Sequence, residues 1–80
     1  MRGTEHLTTL EVSFDDASEV SFEPYAYALR VKQGDKLEVT LDINKNPRVH
    51  IEISKAELTF SCYEPVINVN GSLEIDLSQP

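Results

Sequence analysis

Few residues in this chain have the chemical range for catalysis or metal binding. Cys62 is the one thiol, and His6, His50 and Met1 complete the set of sulfur and imidazole groups. Structural zinc takes four such ligands, commonly in close pairs, and a blue-copper centre takes two His, a Cys and usually a Met. Here no two of these residues fall within four positions of each other. A nucleophilic Cys needs a base beside it. Alternation groups Cys62 with Leu58 and Phe60 on an apolar face, whereas His50 shares a polar face with Arg48 and Glu52. Cys62 therefore reads as a small apolar filler.

Carboxylates are plentiful, and Asp15, Asp16, Ser18 and Glu19 form the densest oxygen cluster. Calcium wants several ligands from one loop, but an Asp in a turn usually bonds its own backbone. Gly3, Gly34 and Gly71 are too widely spaced for a phosphate-cradling loop. The expectation is a protein with no catalytic residue, no metal site and no cofactor.

Charge narrows the partners. Seven Lys plus Arg against fourteen Asp plus Glu in 80 residues give a formal net charge of −7. That balance opposes phosphate-tracking nucleic-acid binding and docking on anionic membranes. No apolar run approaches the ~20 residues of a membrane span. Residues 1–10 lack the apolar core of a signal peptide, and a lone Cys cannot form an internal disulfide. A reducing, cytoplasmic setting is expected. Met1 and the short lead suggest a whole gene product.

These side chains must be positioned by strands, because apolar residues alternate with period two almost throughout. Leu10, Val12 and Phe14 share a face; so do Tyr25, Tyr27, Leu29 and Val31, and Leu37, Val39, Leu41 and Ile43. Val49, Ile51 and Ile53, then Leu58, Phe60 and Cys62, then Ile67 and Val69, then Leu73, Ile75 and Leu77 continue the pattern. Each run puts one face on a core and one in water. Turn residues separate the runs at Asp15-Asp16, Glu23-Pro24, Gly34-Asp35, Asn44 to Pro47, Glu64-Pro65 and Asn70-Gly71. Seven or eight short strands in one domain, residues 1–80 with a flexible lead over residues 1–6, read as an all-β antiparallel sandwich or partly open barrel. Ser54-Lys55-Ala56-Glu57 has capping-box spacing but room for one helical turn at most.

Register follows from matching faces. Ile43 opposite Val49 sets Asp42 across from His50, and Val31 opposite Leu37 sets Arg30 across from Glu38. A tight turn at Asn70-Gly71 would oppose apolar and polar residues, so an odd-length loop with Ile67 facing Leu73 is expected. The repeat of Glu11-Val12-Ser13-Phe14 as Glu19-Val20-Ser21-Phe22 marks either two hairpin neighbours or a chance match.

What remains is a binding surface. Tyr63 follows the inward Cys62 and should point outward near Val66, while Ala26 and Ala28 leave the outer face of their strand bare. With His50 and Asp42 these form the candidate interaction residues. The leading expectation is a non-enzymatic module that binds another protein or itself, with unpaired strand edges as the means. The alternative is a small acidic inhibitor, of the immunity-protein or nucleic-acid-mimic type, that neutralises a basic enzyme.

Overall fold

The computed structural model describes residues 6–79 and contains eight strands with no helix among them. They are β1 (Leu7–Ser13), β2 (Ser18–Glu23), β3 (Tyr27–Val31), β4 (Lys36–Asp42), β5 (His50–Ser54), β6 (Glu57–Ser61), β7 (Val66–Val69) and β8 (Ser72–Asp76). Two four-stranded sheets, ordered β1-β4-β7-β8 and β3-β2-β6-β5, form the sandwich. The expected lead over residues 1–6 lies outside the described residues except for His6. That residue is tied down, its carbonyl accepting the Ile43 N–H at 2.8 Å.

Alternation explains the core. Leu37, Val39 and Leu41 on β4 are fully or almost fully buried, and their partners on β1 and β7 include Val12, Leu10 and Ile67. In the second sheet Val20 and Phe22 pair with Leu58 and Phe60. The Phe22 and Phe60 rings stack with centroids 5.2 Å apart. This β2–β6 pairing is parallel; the others are antiparallel.

Several expected neighbours are separated because the chain changes sheets between hairpins. β2–β3, β5–β6 and β7–β8 are hairpins, whereas the other connections cross the sandwich. Both edges of β4 are occupied by β1 and β7, so β5 pairs with β6 instead, and Asp42 does not face His50. Likewise Val31 and Leu37 belong to opposite sheets, and Arg30 faces Glu19 rather than Glu38. The two copies of the Glu-Val-Ser-Phe repeat fall in different sheets as well.

The Asn70-Gly71 connection is the tight two-residue turn, with φ of 53° and 83°. Those positive angles suit the twist of a hairpin. A bulge then restores the apolar register: Asn68 faces Leu73, yet Ile67 faces Ile75. Leu73 is displaced outward and stays 63% exposed.

One polar side chain sits deep at this end. Asp35 is buried and accepts the Lys32 N–H at 2.9 Å and the Asn70 side-chain amide at 3.0 Å. Asn70 in turn accepts the Lys36 N–H at 2.9 Å, which ties the β3–β4 and β7–β8 turns together. The Asn70 amide, then the Lys32 N–H, hold the Asp35 carboxyl below its ordinary value of 3.8. A carboxylate depressed on folding stabilises the fold above its unfolded pKa, and that contribution disappears as pH falls through the lower folded value. Asp35→Asn should therefore melt below the wild-type temperature at pH 7. Its deficit should shrink progressively as thermal melts are repeated below pH 3.8.

Candidate interaction surface

Four of the six candidate residues divide between the two opposite outer faces, and Ala26 and Tyr63 lie in connections. Asp42 and Val66 lie on the outer side of the β1-β4-β7-β8 sheet, where Val66 pairs with Thr40 and Asp76. Asp42 has His6 Nε2 at 3.6 Å and accepts the Asn44 N–H at 2.8 Å. Ala28 and His50 lie on the outer side of the other sheet, opposite Ser21 and Ser61 respectively. Ala26 is not a strand residue. It occupies the β2–β3 turn with φ of 55°.

Tyr63 is 61% exposed as expected, but it sits in the crossing from β6 to β7 and not beside Val66 on a sheet face. Its backbone is fixed on both sides by Asn46, which accepts the Tyr63 N–H at 2.7 Å and donates to its carbonyl at 3.0 Å. Beside it an open cleft of about 400 Å³ is lined by Pro24, Arg48 and Cys62 among others. Cys62 itself is buried, and burial pushes its thiol pKa up, away from the reactive thiolate.

The residues that alternation alone did not single out are Ile51 and Ile53. Both point to the core side of their sheet, opposite Phe60 and Leu58. Yet Ile51 is 43% exposed and Ile53 is 78% exposed. Their strand lies at the sheet edge, over the edge strand β1 of the other sheet. The two sheets part there into a cleft of about 270 Å³ lined by Val12, Phe14, Ile53 and Leu58, with the Asp15-Asp16 turn at its rim. Aligned sheets are rotated against each other by about 30°, so their corners diverge.

The backbone of β5 is equally open. At the two ends of β6, Cys62 N–H donates to the Glu23 carbonyl and the Ala56 carbonyl accepts from Glu19 N–H. Even-numbered residues of this segment therefore point their amides and carbonyls toward β2. Odd-numbered Glu57, Thr59 and Ser61 point toward β5, where they oppose Ser54, Glu52 and His50. It follows that Ile51 and Ile53 turn their N–H and C=O groups to the free edge.

Edges of this kind are normally blunted by Pro, bulges or inward-facing charge. β8 carries a bulge, the inward-facing Tyr27, Leu29 and Val31 of β3 are at least half-buried, and β1 shows mostly Thr, Glu and Ser to solvent. Among the described residues, β5 is the strand exposed at every position, with no Pro, bulge or inward charge. No family model, curated protein or solved structure matches this chain.

Backbone polarity along β5 gives a direct check. Ile53→Pro removes an N–H that bonds nothing among the described residues and should change stability by no more than about 1 kcal/mol. Glu52→Pro removes a ladder bond to β6 and should cost about 1–3 kcal/mol. Chemical denaturation of the two variants distinguishes them.

Proposed function

We propose that this protein is a non-enzymatic interaction module whose β5 edge accepts an extended protein segment as an added strand. The observation that carries the reading is the coincidence, on Ile51 and Ile53, of free outward backbone groups with exposed apolar side chains. Backbone bonding gives strand addition its affinity, and the alternate side chains give it selectivity. An isoleucine that becomes fully buried contributes about 1.5–3 kcal/mol. The partner is a protein, not a nucleic acid or a membrane, in keeping with the net charge of −7.

A catalytic role lacks a comparable footing. His50 is exposed on an outer sheet face and Cys62 is buried in the core, so the two do not share a side of the sheet. The acidic-inhibitor reading also lacks one. Its carboxylates are dispersed over the Asp15-Asp16 turn, the Glu11–Glu38 cross-strand pair and the Asp76–Ser78 turn.

Affinity capture with wild type and Ile53→Pro, washed at low and high salt, tests the reading. Strand addition predicts a partner that survives high salt on wild type and is absent from Ile53→Pro. A partner retained by both proteins and released by salt would support a charge-driven inhibitor instead.

A further inference from the structure

Resting on the proposed strand-accepting edge, we infer that its occupant is a second copy of this chain, joined β5 to β5 in antiparallel fashion about a twofold axis through Ile51. The axis stands perpendicular to the sheet and joins two four-stranded sheets into one of eight strands. Both copies then keep their isoleucines on the same face.

Only registers that set outward-facing residues against outward-facing residues can form ladder bonds. An axis at Glu52 opposes two like carboxylates, which is unfavourable for directly facing residues. An axis at His50 stacks imidazole on imidazole and leaves Ile53 against Pro47. With the axis at Ile51, the two Ile51 residues exchange N–H and C=O bonds, and Ile53 of each copy faces Val49 of the other. His50 faces Glu52 of the second copy, twice by symmetry. Apolar meets apolar, and imidazole meets carboxylate.

Local charge agrees with this arrangement. The segment Arg48 to Lys55 holds two cationic side chains, Arg48 and Lys55, and one carboxylate, Glu52. It is therefore slightly positive at neutral pH within a chain of net charge −7, so two copies repel each other less here than over the molecule as a whole. A strand of five residues makes a small interface, so the dimer should dissociate in the range of about 10 µM to 1 mM.

Sedimentation equilibrium from about 5 µM to 1 mM, at ionic strength near 0.15 M, reads the association. Wild type should pass from monomer to dimer. Glu52→Lys removes both imidazole–carboxylate pairs and leaves the segment Arg48 to Lys55 with three cations and no carboxylate in each copy, so it should weaken association by about tenfold or more. The swap His50→Glu with Glu52→Lys should bring it back to within about threefold of wild type. That rescue is specific to the Ile51 axis, because an axis at His50 would set the two introduced carboxylates directly against each other in the swapped protein. A dimer insensitive to both changes would overturn the assignment, as would a wild-type monomer at every concentration. If that monomer still captures a partner lost on Ile53→Pro, strand addition stands and only the self-pairing fails. If capture is unaffected by Ile53→Pro, both fail.

Discussion

The parallel pairing of β2 with β6, fixed by the Phe22–Phe60 stack, is the constraint on which the rest of this sandwich depends. Two aromatic rings buried at the centre of an 80-residue domain are a large share of its apolar core. Parallel neighbours cannot be joined by a tight turn. The chain therefore leaves the sheet after β3 and returns only with β5 and β6. With β2 on one side of β6, the other side falls to β5, which has no further strand beyond it among the described residues.

From that placement the polarity of the edge is determined. The Cys62 amide just past the end of β6 reaches β2, so Glu57, Thr59 and Ser61 reach β5 and consume the backbone groups of Ser54, Glu52 and His50. Ile51 and Ile53 keep theirs. Both side chains are exposed on the inward side of the sheet, and that of Ile53 lines the cleft with Val12 and Phe14. A single geometric cause, an edge strand at a divergent corner, leaves both backbone and apolar surface exposed at one place. The proposed function rests on that coincidence, since neither an isolated exposed isoleucine nor an open edge would carry it.

Much of the fold is legible in period-two alternation. The inward runs Leu37-Val39-Leu41 and Leu58-Phe60-Cys62 are buried as the pattern requires, because side-chain direction along a strand is a local property. Strand partnership is not local. The Asn44 to Pro47 segment reads equally as a hairpin loop or a crossing between sheets, and the occupied edges of β4 decide for the crossing. For that reason Asp42 and His50, which face matching places together, lie on opposite faces of the sandwich. The bulge opposite Asn68 is hidden for a similar reason: alternation assumes equal residue counts on both strands. Ile51 and Ile53 read correctly as inward, yet the pattern carries no information on whether anything covers an inward face. Asp35, a turn residue by sequence, owes its role to Asn70, thirty-five positions away.

Residue-resolved amide hydrogen exchange along β5, followed from dilute to concentrated protein, tests the central claim most directly. The account predicts that His50 and Glu52 are protected at every concentration. Ile51 and Ile53 should exchange freely in dilute protein and become protected as concentration rises. Protection of Ile51 and Ile53 in the dilute monomer, or their free exchange throughout, would contradict it.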